Sequence, residues 1–286
     1  MIFSTTHTKT WALLLFCLAV PFFVFSQRKK KEEPQAANTK LREAEFYFTE
    51  GEKFFILEDY SKALLYYQRA LEINSGNATI HYKIAEVLAR SNRQEDLLRA
   101  SLSMENALQL EKRNKYFYIQ AASIYTSLAR FDDAARVYET MLKEVPGTEE
   151  YYYELAAIYQ YANKFDEAIR VYTKAETVLG VNEISSLQKQ RLYLDQGKTR
   201  EAITEADNLM QAFPSEERYA MQLAETFAQK GMRANAISLL EKFVADNEDN
   251  ANSEMLLAGL YRDNQQEEKA RPVLLRLFDD PQVELN

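Results

Sequence analysis

Cysteine is almost missing from this 286-residue chain: Cys17 stands alone, so no disulfide can form within it and packing must hold the fold together. Seven glycines and six prolines are too few for the tight turns that β-rich folds consume. The glycines are also scattered, which excludes a phosphate-cradling loop. His7 and His81 are the only histidines, which leaves no soft-metal ligand set and no cysteine–histidine nucleophile. A Ser–His–Asp arrangement would have to use His81, which the pattern below places at a helix-packing position. Positive charge is short as well. The net charge is −8 and no basic block recurs, so the stripe that replaces phosphate counterions on a nucleic-acid binder is absent.

What is present is apolar and helix-forming. Apolar residues make up 47% of the chain, enough for a folded core, and Ala, Leu, Glu, Lys and Gln are abundant. The N-terminus stands apart. Its run "WALLLFCLAVPFFVFS", Trp11 to Ser26, follows Lys9 and ends with Val24 and Ser26 at the −3 and −1 places of a cleavage site. This pattern predicts a bacterial secretory signal peptide over residues 1–26. The run is short for a membrane span and contains Pro21, which favours export. Arg28 to Lys31, "RKKK", pull the other way, toward an uncleaved anchor whose flank is held inside. Cys17 has Phe16 before it and more apolar residues after it, so it reads as part of the run and not as a lipidation site. Residues 27–43 are charged and lack apolar periodicity, and are expected as a disordered linker.

From residue 44 to 280 the chain repeats itself. "FDDAARVY" at Phe131–Tyr138 returns as "FDEAIRVY" at Phe165–Tyr172, and Ala134, Ala168, Ala202, Ala236 and Ala270 keep the same thirty-four-residue step. Ala63 and Ala100 extend the series backward, with three residues inserted between Ser91 and Asp96. Within a period the pattern is helix, turn, helix. Tyr152, Leu155, Ala156 and Tyr159 share one helical face, and Phe165, Ala168, Tyr172 and Ala175 share the next. The alanines allow two antiparallel helices to approach closely. Tyr138 and Tyr172 are expected to project toward the following unit. Gly197 and Gly231 fall in inter-helix turns, where a positive φ ends a helix at little cost. Asp132/Asp133 and Asp166/Glu167 begin second helices, so they read as partners of helix dipoles and not as an acid–base pair.

The chain resembles the tetratricopeptide repeat family, whose unit has this length and places large, small and aromatic residues in this way. The resemblance rests on Tyr118, Ala122, Tyr125, Phe131, Ala134, Tyr138 and Pro146 in the third unit, and on matching sets in the other six. It implies an all-α, right-handed α-solenoid of about seven helix–turn–helix units, near 44–77, 78–114, 115–148, 149–182, 183–216, 217–250 and 251–280, with a tail at 281–286. It further implies a concave side lined by the leading helices, with no cofactor and no catalytic or metal residue. The matching positions are Phe48, Glu52 and Phe55, then Tyr82 and Glu86, then Ile119 with Ser123. Tyr153, Ala157 and Tyr161 follow, then Leu187, Arg191 and Leu194, and last Met221 with Glu225. One branch of the family grips a C-terminal carboxylate with Lys and Asn on these helices. Here Phe48/Glu52 and Tyr82/Glu86 occupy those places, so carboxylate capture is not expected.

The expected role is therefore a non-catalytic protein-interaction scaffold of the bacterial cell envelope, exported to the periplasm. It would hold a peptide or helix of another protein along the groove. Membrane contact would come only through the N-terminal segment, if that is retained. The last helix places Leu274, Leu277 and Phe278 where a further repeat would cover them, so either the natural chain continues beyond Asn286 or this edge associates with another surface. Two other readings stay open: a non-catalytic segment of a larger envelope enzyme or sensor, and a glycan-binding protein. The second lacks the Trp platforms expected of it.

Overall fold

The computed structural model describes residues 34–247 and 250–279; the expected signal peptide and tail lie outside them. Among the described residues every regular element is a helix. In chain order these are α1 (Pro34–Ile56), α2 (Tyr60–Ile73), α3 (Ala78–Arg90), α4 (Gln94–Leu110), α5 (Lys115–Ser127), α6 (Phe131–Glu144) and α7 (Tyr152–Tyr161). A 3₁₀ turn, Glu149–Tyr151, leads into α7. There follow α8 (Phe165–Leu179), α9 (Glu183–Asp195), α10 (Thr199–Ala212), α11 (Glu217–Gln229), α12 (Arg233–Asp246), α13 (Ala251–Asp263) and α14 (Glu267–Asp279). The chain divides into two compact units at Thr39/Lys40, and the helical array lies in the second. From α2 onward each helix packs on the next, and leading helices touch one unit on, α3 with α5, α9 with α11 and α11 with α13. This is an all-helical solenoid.

The alanine ladder is the closest contact. Ala63, Ala100, Ala134, Ala168, Ala202, Ala236 and Ala270 are all fully buried. Facing them is a second row on the leading helices, small in every unit but the fifth: Gly51, Ala85, Ala122, Ala156, then Gln190, Ala224 and Ala258. The tightness of this seat shows at Gly51, where an added Cβ would come within 2.6 Å of the Tyr67 ring. The large residue opposite the seat is Tyr67, Met104, Tyr138 or Tyr172 in the first four units. Tyr138 does lean onto the next unit, stacking on Tyr151 at 6.2 Å. Tyr172 behaves differently. It stays against Tyr153 of its own unit and its hydroxyl accepts from Gln160 at 2.8 Å.

All seven inter-helix turns share one conformation. Glu58, Asn92, Ala129, Asn163 and Gln265 have positive φ, as do Gly197 and Gly231 in the same place. In six of them the next amide reaches back five residues to a carbonyl, for instance Arg130 to Tyr125 at 2.8 Å and Lys164 to Tyr159 at 2.8 Å. That bond closes a Schellman-type helix end and satisfies a carbonyl that would otherwise lack a donor. In the second unit Arg93 bonds the Ser91 hydroxyl instead, at 3.3 Å. The three inserted residues keep the positive φ of this turn and lengthen the start of α4, where buried Asp96 accepts from Ser91 Oγ and Arg93 Nε at 2.7 and 2.8 Å.

Two further expectations are corrected. Residues from Pro34 to 43, expected as disordered linker, begin α1. Proline is pre-organised for a first helical position, and the Gln, Ala, Lys, Leu, Arg and Glu after it are good helix formers. At the other end Leu277 is buried, because it continues the inward row of Ala175, Leu209 and Phe243. Leu274 is half-buried, and the exposed apolar pair on α14 is Leu275 and Phe278.

Candidate functional site

The leading helices carry one residue per unit just beside the small seat: Phe48, Tyr82, Ile119, Tyr153, Leu187, Met221 and Met255. All seven are apolar or aromatic, and none is fully buried. Phe48, Tyr82, Ile119, Tyr153 and Leu187 pack against the core clusters while keeping an outer side in solvent. Met255, thirty-four residues after Met221, belongs to the row and was missed in reading the sequence, although the period alone locates it.

In the first two units the neighbours are tied together by charge. Glu52 accepts a hydrogen bond from the Tyr67 hydroxyl. Burial and the nearby Glu52 carboxylate hold that phenol well above its ordinary pKa. Lys83 bridges Glu52 at 3.2 Å and Glu86 at 3.1 Å. Burial alone would lower the Lys83 pKa, but the two carboxylates outweigh it and raise it. Lys83 and Arg90 both stand over the Phe55 ring, at 5.0 and 5.7 Å. Phe48 lies against Tyr67 at 5.6 Å, Phe55 meets Tyr60 edge-on at 5.7 Å, and Tyr82 stacks on Phe117 at 5.2 Å. Lys83 is thus shared by two carboxylates.

Further along, the face is less charged. Ile119 is half-buried against the first core cluster. The Tyr153 hydroxyl accepts from Asn182 Nδ2 at 2.6 Å, which ties the ring to the residue that caps α9. Leu187 and Leu194 are half-buried against the C-terminal cluster, while Arg191 is exposed. Tyr161, the last residue of α7, is 66% exposed and stacks on Phe131 at 6.2 Å. His81 is half-buried, its Nε2 lying 3.2 Å from the Ser75 carbonyl.

Two kinds of polar contact repeat along the array. Tyrosines on leading helices donate to a glutamate of the preceding second helix: Tyr125 to Glu105 at 2.6 Å, Tyr159 to Glu139 at 2.5 Å, Tyr261 to Glu241 at 2.6 Å. Lysines in successive turns reach the acidic starts of the previous second helices, Lys164 to Asp132 at 2.6 Å and Lys198 to Asp166 at 2.8 Å. The acidic pairs that open α6 and α8 therefore serve both helix starts and unit-to-unit contacts.

A chain of tandem helix pairs with this seat, this turn and this half-buried row defines a class, the helical-repeat interaction proteins. Comparison with known proteins makes it specific. Residues 51–92 match the TPR repeat profile and residues 119–177 the tetratricopeptide repeat profile, so these stretches are tetratricopeptide repeats. Serine/threonine-protein phosphatase 5 of Mus musculus is 31% identical over 126 residues, covering 42% of this chain and 23% of that protein. The chain thus spans under a quarter of the length of the curated relatives it matches. Among solved structures, Naa15/Naa10 bound to HypK-THB aligns with a TM-score of 0.52 at 14% identity, over 83% of this chain and 36% of that one. A tetratricopeptide repeat protein from Parabacteroides merdae ATCC 43184 aligns at 21% identity over 82% of this chain and 92% of its own, with a TM-score of 0.48. Tetratricopeptide units are an interaction fold and generally non-catalytic.

Proposed function

We propose that this protein is an exported scaffold of the bacterial cell envelope, working in the periplasm, that holds a peptide or helix of another protein along its leading helices. The observation that carries this reading is the row from Phe48 to Met255. It is apolar in every unit although it is never fully buried. A position that only stabilised the repeat would tolerate polar residues once half its surface is wet. An unbroken apolar row on one side marks a surface with another use. Export is supported by the N-terminal sequence: a short apolar run, then Val24 and Ser26 before Gln27.

The test is capture from native envelope extracts with the wild-type chain and with a Tyr153→Asp/Leu187→Asp double variant. Retained helical circular dichroism with lost capture supports the reading, and undiminished capture refutes it. Mass measurement of the mature N-terminus checks export separately. A chain starting at Gln27 is expected, and an intact Met1 would favour an N-terminal anchor. A second reading draws on the phosphatase 5 match, since that relative is an enzyme several times longer than the matched stretch: the array would be one segment of a larger protein.

A further inference from the structure

Gly259 lies in the middle of α13, thirty-four residues after Glu225. Glycine weakens a helix interior relative to alanine, so its presence there needs a reason. The usual structural ones fail. Its φ is not in the left-handed region, and a Cβ added to it would meet no atom within 4 Å. What the missing side chain leaves is room. A cleft of about 420 Å³ opens between α11 and α13, lined by Met221, Asn252, Met255, Leu256 and Leu260 around Gly259. Leu260 is buried, while Met255 is 39% exposed. Methionines suit such a wall because their unbranched, polarisable side chains adapt to the shape of a guest.

The rim is acidic. Asp263 lines the cleft, and Glu225 is exposed one turn along α11 from Met221. Among the described residues neither carboxylate has an ion-pair partner, unlike Glu254, which pairs with Arg276 at 2.7 Å, or Glu217, which accepts from Asn252 and Ser253. Asp263 therefore lines this cleft without a counter-ion, and Glu225 stands without one a helical turn from its Met221 wall.

We infer that this cleft is a specificity pocket for a leucine- or methionine-sized apolar side chain of a partner segment that carries Lys or Arg within a residue or two of it. The pocket takes the apolar group and the rim takes the cation. This rests on the leading-helix reading of the proposed function and adds the chemistry of the partner.

The experiment uses the full chain on an immobilised positional library of extended peptides. Wild type is expected to enrich Leu or Met flanked by Lys or Arg. Gly259→Trp, which fills the cleft, is expected to weaken the best such peptide by about tenfold or more, whereas Gly259→Ala leaves binding within about twofold. Glu225→Lys/Asp263→Lys keeps the apolar preference and loses the basic one. Circular dichroism of each variant separates occlusion from unfolding, and an unfolded Gly259→Trp is replaced by Gly259→Leu in the same assay. Peptide binding unchanged by both cleft and rim variants, yet lost in Tyr153→Asp/Leu187→Asp, overturns the pocket and leaves the groove standing. Binding lost on filling the cleft but indifferent to Tyr153→Asp/Leu187→Asp supports the pocket and counts against a continuous groove. Binding indifferent to all of them, or no enrichment of any peptide, overturns the pocket.

Discussion

The stretch from α2 to α7 and the joint formed by α8, α9 and α10 are built on the same period from different materials. In the first, one continuous apolar cluster runs from Ala63 to Ile158, with a small seat facing a large residue in each unit. At the joint the pairing inverts. The seat holds Gln190 and the residue opposite it is Ala206, both buried. Both amide heteroatoms of Gln190 are buried without a protein partner. Beside it Lys189 reaches Glu176 at 2.5 Å and Glu205 at 2.8 Å. Elsewhere these three registers carry Leu155 or Leu223, Leu142 or Met210, and Val137 or Val171. The core divides here too, into a small cluster around Tyr172 and Leu192 and a C-terminal one from Ala202 onward. An apolar junction tolerates loss gradually, because each contact is small. A junction made of buried charges is strong only while every member is present.

Breaking the joint should therefore have the largest effect in the molecule. Lys189→Met leaves two buried carboxylates facing each other and should cost about 3–5 kcal/mol, read as a lower urea midpoint. Converting the three registers together, Glu176→Leu/Lys189→Leu/Glu205→Val, should restore stability or exceed wild type by about 1–4 kcal/mol. A triple variant as unstable as Lys189→Met would show that the charges are not what sets the joint apart.

The size inversion gives a smaller effect. Ala206→Tyr alone overpacks against Gln190 and should cost about 1–3 kcal/mol. Adding Gln190→Ala rebuilds the small–large pair found in the other units, so the two changes should couple favourably by about 0.5–3 kcal/mol in a double-mutant cycle. Additive losses would mean that the two positions do not face each other.

Acid sharpens the same contrast. Burial pushes the Glu205 carboxyl above its ordinary value despite the opposing pull of Lys189. The folded state therefore holds a proton that the unfolded state releases, and stability falls as pH rises from the ordinary glutamate value of 4.5 through the raised one. Glu205→Gln should flatten this part of the profile, measured by thermal melts across pH. Lys189 acts at the other end. Its pKa is raised, so the stability it contributes is present below 10.5 and is lost only above that.

The smallest effect tests the turns, which are alike in both regions. Ala129 has φ 55°, a conformation disfavoured for any residue with a Cβ. Ala129→Gly should stabilise by up to about 1 kcal/mol, and Gly197→Ala should destabilise by a similar amount.

Much of this was legible in the letters, and the exceptions have physical causes. The alanine ladder and the glycine turns follow from the period, because small size and positive φ each select a residue type. Glu58, Ala129 and Gln265 adopt the same turn without announcing it. Their backbone is set by the helices on either side and by the Schellman bond, not by their own preference. The joint could be suspected from Ser186 at an aromatic register. That Lys189, Glu176 and Glu205 meet is a fact of three helices and needs coordinates. The half-buried row was readable up to Met221, and Gly259 looked like any other isolated glycine until the space around it was seen.

The central claim is that the leading helices, and not the second helices, meet the partner. A photo-crosslinking amino acid placed at Tyr153 or Leu187, and for comparison at Leu102 or Arg170 on second helices, tests it in intact cells. Adducts from the first pair and none from the second are predicted. Equal or stronger adducts from Leu102 and Arg170 would contradict the account.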